Sequence, residues 1–318
     1  AYNKDDDGNI SFAVSRYPDN GSKVLNFSTF ILSEYKVNNK LKWFNAVRGD
    51  YEKTEARFSE ISSVFPMGTH LGLLTKNWNI AASSNLFCSI LENNFISFSV
   101  YNSFRNPNID DIGKVFSKVD GIVVIPNPDL QSEKIISTEL IFQHLAEDNK
   151  FDIVLFNSFL TDAIAKRETS INGIDSIFYD GEWMETIANT NITSAKMMGI
   201  NLIYNQKINQ KINVESINSF VNAVSSDSLP LAHIPPFSSR LQFNYSVSKN
   251  SSVSFYSIYN SWKKVEDFDL NGVDNFEEAT IDGTPSWYTL NLRYSRKINN
   301  FQLSISCENI LDAHYKTF

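Results

Sequence analysis

Alternation of apolar and polar residues is the strongest pattern in the chain, and it predicts β-strands. From Tyr288 to Tyr294 every second side chain is apolar, and polar side chains lie between them. The same two-residue period runs from residue 241 to 248 and from 301 to 308, and shorter examples lie at 96–101 and 198–205. A segment with one apolar and one polar face at this period is a strand, not a helix. The pattern therefore predicts an all-β chain.

The connections between these strands alternate between short and long. Short connections rich in Asn, Asp, Lys and Ser lie at 92–94, 147–150, 209–211, 249–251 and 299–300. Long connections lie at 105–131, 166–193, 225–238 and 263–285. Outer-membrane barrels have short turns on the periplasmic side and long loops outside. The spacing therefore predicts a transmembrane antiparallel up-and-down β-barrel wall of about fourteen strands, starting near Asn9.

Composition and strand length favour the same architecture. Segments 239–248 and 287–295 have about the 9–11 residues that a tilted strand needs to cross hydrocarbon. The 24 Phe and 13 Tyr, set against only 12 Gly, suit a wall with one lipid-facing side. Polar residues of the C-terminal strands are expected to face an interior plug or water: Gln242, Asn244, Asn291, Arg293, Gln302 and Glu308.

Charge and motifs exclude several other classes. A net charge of −8 argues against a nucleic-acid binder, which needs a basic face. No apolar run is long enough for a transmembrane helix, and the first residues do not form a signal peptide. A triad, a phosphate loop and an HExxH motif are all absent from the sequence. Cys88 and Cys307 are expected to be unpaired thiols. We therefore expect no enzyme activity, no cofactor and no metal site.

Five stretches resemble one known family. They are 103–116 (SFRNPNIDDIGKVF), 123–130 (VVIPNPDL), 231–237 (LAHIPPF), 285–292 (PSWYTLNL) and 308–315 (ENILDAHY). Together they are similar to the C-terminal part of a TonB-dependent outer-membrane receptor, in the version common in Bacteroidetes-type bacteria. The family phrases FRAP, NPNL and PE stand here as FRNP, NPDL and Ser132-Glu133. The resemblance covers nearly the whole chain from Asp50 onward.

The resemblance implies a larger assembly than this chain. The family barrel has about 22 strands around a plug, so residues 1–318 are expected to be a partial barrel domain of about fourteen strands. The plug, the early strands and the final strand are expected to be missing, and a barrel fragment with two open edges is expected to refold poorly. The implied location is the outer membrane of a Gram-negative bacterium. The implied partners are outer-membrane lipid, a metal-chelate or other small-molecule ligand, and the TonB–ExbB–ExbD system through the missing N-terminal segment.

The long stretch 101–140 is the main candidate for ligand contact. Pro107 and Pro128 bracket a predicted outer loop within it. Residues 108–126 contain no His, whereas the haem receptors of the family carry one there, and this argues against haem. His233 lies in another predicted outer loop, where it could instead cap a strand. The predicted ligand-binding residues on the outer loops are Arg105, Asn108, Asp110, Asp111, Phe116, Tyr179, Trp183 and His233.

Three functions remain open from the sequence. The leading expectation is an energised importer of a scarce, bulky nutrient such as a siderophore–iron complex, haem or cobalamin. A passive porin and a soluble all-β ligand-binding module are the alternatives. Acidic residues on the outer loops, including Asp110, Asp129 and Asp267, could suit Ca²⁺, but they lack EF-hand spacing, and acidic loops are usually solvated.

Overall fold

A computed structural model gives the fold of the chain. It describes residues 2–4, 8, 10–12, 15–58, 72–117, 121–170, 173–179, 181–226, 230–231, 234, 236–268 and 279–316. In these residues no helix is long and apolar enough to cross a membrane.

One large sheet dominates the structure. Two short strands, β1 (Tyr2–Lys4) and β2 (Ile10–Phe12), pair with each other outside it. The wall strands are β3 (Ser22–Lys36), β4 (Leu41–Arg57), β5 (Gly72–Leu91), β6 (Asn94–Arg105), β8 (Glu133–Leu145), β9 (Asn149–Glu168), β11 (Glu182–Lys207), β12 (Ile212–Ser225), β13 (Phe237–Ser248), β14 (Ser251–Asn260), β17 (Trp287–Ile298) and β18 (Phe301–Cys307). The smaller elements are α1 (Ile109–Gly113), β7 (Ile122–Ile125), β10 (Ser176–Tyr179), β15 (Lys263–Lys264) and β16 (Gly283–Thr284).

The wall is an antiparallel up-and-down sheet. Each wall strand pairs with the next one along the chain, so that β3 and β18 form the two edges. The predicted all-β antiparallel architecture is confirmed. The sheet has 14 strands, but two of these, β7 and β10, are short strands added beside β11 and not part of the up-and-down path.

The predicted alternation of connections is confirmed, with one exception. All the short turns join strands at one end, here called the short-turn end, and the opposite end is the long-loop end. The connection predicted at 166–193 is shorter than expected, because β9 continues to Glu168 and β11 begins at Glu182. Between them β10 pairs with the start of β11. The end of β9, β10 and the start of β11 are polar like a loop. Pairing between these strands and burial of their apolar side chains nevertheless keep them extended.

The two faces of the wall differ in chemistry. One register row places Phe243, Phe255 and Leu292 side by side. The adjacent row, on the opposite face, places Asn244, Ser254 and Arg293 side by side. We call these the apolar face and the polar face. The large exposed side chains of the C-terminal strands lie mainly on the apolar face, as a lipid-facing wall requires.

Packing on the polar face explains one glycine in a long strand. Phe156 of β9 lies opposite Gly199 of β11. A β-carbon at residue 199 would lie 2.5 Å from the Phe156 ring, so glycine allows the ring to rest against the backbone.

The prediction for the cysteines is confirmed as well, since both are free thiols.

The apolar core lies at the long-loop end and not along the wall. It joins the ends of β4 and β5 to β10 and the start of β11, and residues between β6 and β8 fill it. Its buried members are Ala56, Phe58, Leu73, Ile112, Val115, Val123, Ile125, Leu130, Ile177, Met184 and Ala188. The stretch predicted as an outer loop is therefore a folded layer that packs on the wall.

Candidate functional site

The layer at the long-loop end is built from residues 106–117 and 121–132, which we call the cap segment. It begins with α1, a single helical turn that Asn108 and Asp111 hold closed. The Asp111 amide donates to the Asn108 side chain at 3.0 Å, and the Asn108 amide donates to the Asp111 carboxylate at 2.9 Å. This reciprocal capping box satisfies two amides at the start of the helix. Ile112, on the inner side of the turn, is fully buried.

Arg105 joins the cap segment to the wall. Its guanidinium donates to Asp111 in α1 at 2.6 Å and to Glu133 at the start of β8. Glu133 also accepts the backbone amide of Ile164 at 2.7 Å. Arg105, Asp111 and Glu133 therefore form one connected ion-pair and hydrogen-bond network that reaches β9 through the Ile164 amide.

A pair of asparagines on β11 clamps both halves of the cap segment. Asn191 donates to the Gln131 carbonyl at 3.0 Å and accepts the Gln131 amide at 2.8 Å. Asn189 donates to the carbonyl of Asp111 at 2.9 Å, and its own carbonyl accepts from Asn127 at 2.8 Å. Sequence reasoning missed both clamp residues, although two asparagines spaced two apart in an otherwise extended segment are an available signal. They fix the position of the cap segment over the sheet.

A cavity of about 660 Å³ lies beneath α1, on the polar face of the first wall strands. Its wall carries Arg48, Asp50 and Glu52 of β4 together with Asn26 of β3. Asp50 is only 3% exposed and accepts from Arg48 at 2.8 Å and from Asn26 at 3.3 Å. The cap segment contributes its edge through Asn106, Asn108, Ile109 and Asp110. Sequence reasoning missed the contribution of β3 and β4, because only the tertiary fold brings them under α1.

Asp110 is the charged group of the cap segment at the cavity edge. Tyr17, in the segment before β3, donates its hydroxyl to Asp110 at 2.7 Å, and the Lys114 ammonium donates at 3.2 Å. Burial opposes ionisation of Asp110, but the hydrogen bonds from Tyr17 and Lys114 outweigh it and hold the pKa of Asp110 below its ordinary value. The same hydrogen bond to Asp110, with burial next, raises the pKa of the Tyr17 hydroxyl.

The predicted aromatic contacts lie at separate places. Phe116 packs under the guanidinium of Arg16, whose central carbon is 4.1 Å from the ring centroid. Tyr179 packs against the apolar core. Trp183 is 69% exposed and meets Phe178 edge to face at 5.9 Å, at the tip of the β10–β11 hairpin. The structure therefore brings Asn108 and Asp110 to the cavity but leaves Trp183 on the outer surface.

Some predicted residues lie outside the described part of the chain. His233 is among them, and so are all four acidic residues between 269 and 278. Among the described residues, no three His, Cys, Asp or Glu side chains gather in a group that could hold a metal ion. Ligand contact by the eight predicted residues stays a prediction. The structure adds that Arg105, Asn108 and Asp111 direct polar atoms at one another.

Comparisons with known proteins agree with this geometry. A family model described as TonB dependent receptor-like, beta-barrel, matches residues 1–310. Among solved structures, the copper transporter OprC is similar with a TM-score of 0.70 and 12% identity, over 93% of this chain and 43% of that chain. The siderophore receptor PiuA from Acinetobacter baumannii is similar with a TM-score of 0.65 and 14% identity, over 92% of this chain and 40% of that chain. The ferric yersiniabactin uptake receptor FyuA from Yersinia pestis is similar with a TM-score of 0.63 and 11% identity, over 93% of this chain and 42% of that chain.

The coverage and the identities limit what these matches show. The chain spans less than half the length of these three structures, and at such identities the likeness shows the fold alone. A search of curated proteins gave no significant match.

Proposed function

This chain belongs to the TonB dependent receptor-like β-barrel family, and from that premise we propose that it forms part of an outer-membrane receptor of a Gram-negative bacterium. The observation that carries the proposal is the two-faced up-and-down wall with a folded cap at its long-loop end. A row of exposed Phe and Leu side chains on one face suits lipid, and the Asn, Ser and Arg row behind it suits a wet interior.

The proposed activity is TonB-energised uptake of a scarce, bulky nutrient bound as a metal chelate, such as a siderophore–iron complex, haem or cobalamin. The energy would come from the TonB–ExbB–ExbD system. The similar structures, a copper transporter, a siderophore receptor and a ferric yersiniabactin uptake receptor, support a metal-chelate class. The absence of His from residues 108–126 argues against haem within this class.

The cavity under α1 is the proposed place where the chain contacts its ligand. Glu52, Arg48 and Asp110 offer charged groups there, and about 660 Å³ is enough for a substantial part of a chelate. Arg105, Asn108 and Asp111 then serve to position the cap segment. In this proposal Phe116, Tyr179 and Trp183 are further ligand contacts, and ligand contact by His233, which lies outside the described residues, stays a prediction from the sequence.

A transport experiment with a matched pair of variants tests the proposal. Radioactive iron supplied as a ferric catecholate siderophore, haem and cobalamin are each offered to cells that depend on the gene containing this chain. Glu52→Gln changes the cavity, whereas Glu55→Gln makes the same change on the opposite face of β4, where Glu55 pairs with Lys53. We expect Glu52→Gln to raise the half-saturating ligand concentration about tenfold or more, as loss of a charged hydrogen bond does.

Three results would contradict the proposal. Uptake that persists without TonB would overturn the energised mechanism. If cells transport none of the three probes, the proposed ligand class is wrong. Equal effects of Glu52→Gln and Glu55→Gln would overturn the role of the cavity.

A further inference from the structure

One carboxylate in the cavity under α1 has no cation beside it. Glu52 of β4 lines this cavity, and it forms no ion pair with any residue that the structure describes. Its carboxylate accepts from the Asn26 amide, but at 3.4 Å, and the same amide also donates to Asp50. Glu52 is therefore left with acceptor capacity for a group that enters the cavity.

The cations around the cavity, in contrast, already have carboxylate partners. Arg48 donates to Asp50 at 2.8 Å, and Lys114 donates to Asp110 at 3.2 Å. Arg105, beside the cap segment, is bonded to two carboxylates. An anionic ligand would have to compete with these carboxylates for every one of the three cations, whereas a cationic ligand would find Glu52 free.

The neighbours of Glu52 on the polar face add no compensating charge. In the register Glu52 lies opposite Asn26 of β3 and Asn77 of β5, and both are neutral. The amide nitrogen of Asn77 is buried and donates to no group in the described part of the chain, so this neighbour does not satisfy Glu52 either. Lys53 is adjacent to Glu52 in β4 and therefore lies on the opposite face, where it pairs with Glu55.

The small number of free acceptors indicates which kind of cation fits. Calcium takes about six to eight oxygen ligands, and no three His, Cys, Asp or Glu side chains of the described residues gather around one point. A protonated amine needs fewer acceptors, because one carboxylate and neutral polar groups satisfy its N–H donors. Asn26 and Ser103 are neutral polar residues of this kind in the cavity lining.

We propose that the ligand presents a protonated amine to Glu52, so that the cavity selects cationic chelates over neutral or anionic ones. The inference rests on the proposed function, since it names the chemistry of the ligand at the same cavity. A charge-assisted hydrogen bond to Glu52 would favour the amine. The same carboxylate would repel a strongly anionic chelate such as a ferric catecholate.

Uptake of two iron chelates that differ by one charge tests this inference. The first is a linear ferric trihydroxamate with a free primary amine, and the second is its N-acetyl derivative, which lacks that positive charge. Both are labelled with radioactive iron and offered to cells that depend on the gene containing this chain. We expect the half-saturating concentration of the amine chelate to be about tenfold lower than that of the acetylated chelate.

Two variants identify the group that recognises the charge. Glu52→Gln should abolish the difference by raising the half-saturating concentration of the amine chelate alone. An unchanged value for the acetylated chelate in the same variant shows that the barrel is still folded. Glu55→Gln, on the opposite face of β4, should keep the full difference between the two chelates.

The possible outcomes separate this inference from the proposed function. Equal half-saturating concentrations in the native protein, or a difference that persists in Glu52→Gln, would overturn the inference alone. TonB-dependent uptake of a ferric catecholate with no uptake of either hydroxamate would also overturn it and leave the proposed function standing. Uptake of no chelate at all would count against the proposed function, and the inference would fail with it.

Discussion

At the residue scale, several residues with predicted ligand contacts also have a structural role, while their ligand contact stays a prediction. Arg105, Asn108 and Asp111 were prominent in the sequence because they lie within or beside the FRNP phrase. The fold uses their polar atoms for a capping box and an ion-pair bridge to Glu133. A motif of charged residues in a predicted loop is equally suited to either role, and only the distances distinguish them.

The Tyr17–Asp110 hydrogen bond gives a pH-dependent prediction. Because the pKa of Asp110 is lowered by folding, its contribution to stability is present above its ordinary pKa of about 4 and is lost as the pH falls through the lowered value. Because the pKa of Tyr17 is raised, its contribution is present below about 10 and is lost as the pH rises through the raised value. The bond therefore holds the segment before β3 to α1 across the neutral range.

Asp110→Asn should lower the pKa of Tyr17 towards its ordinary value, since the carboxylate that favours the protonated phenol is gone. The phenolate absorbance of Tyr17 is obtained as the difference between proteins with and without Tyr17→Phe. An unchanged Tyr17 titration in the Asp110→Asn protein would show that the hydrogen bond does not form in solution.

At the element scale, the cap segment is held mainly by β11. Its apolar residues alone would allow several positions on the sheet, whereas the Asn189 and Asn191 side chains bond specific backbone groups of the cap segment. The long extension of β9 and β11 beyond their pairing with β8 and β12 gives these asparagines their place. Sequence periodicity predicts shorter strands β9 and β11 at the long-loop end, because residues 166–193 are polar and contain glycines.

Asn191→Ala should loosen the cap segment without unfolding the wall. The substitution removes bonds to both the amide and the carbonyl of Gln131, and we expect it to destabilise the segment locally by about 1–3 kcal/mol. Hydrogen exchange of residues 127–132 measures this. The control is Asn157→Ala, at an exposed position on β9. Faster exchange in both variants, or in neither, would contradict a specific clamp.

At the scale of the whole molecule, the two faces of the wall should tolerate charge very differently. Phe243 and Asn244 are adjacent in β13 and therefore lie on opposite faces. Asn244 donates to Glu215 at 3.0 Å, so that an arginine in its place has a carboxylate partner.

Phe243→Arg should reduce assembly into the outer membrane, at a cost of up to about 2–4 kcal/mol for a lipid-facing charge. Asn244→Arg, at the same depth, should assemble nearly normally. The measurement is the fraction of each protein recovered in the outer membrane in a folded, heat-modifiable form. Similar recovery of the two variants would show that the apolar face does not meet lipid.

The sequence by itself determined the class of the wall. Period-two alternation and the strict alternation of short and long connections are local properties, since each strand must present one face to lipid and one to the interior wherever it lies. These two patterns predict the antiparallel order of the strands and the residues of the polar face, including Gln242, Asn244, Asn291 and Arg293.

Only the tertiary structure decided what the long connections do. The cap segment packs on strands that lie far away in sequence, so its burial, the cavity between Asp110 and β4, and the Asn191 clamp depend on contacts that no local pattern encodes.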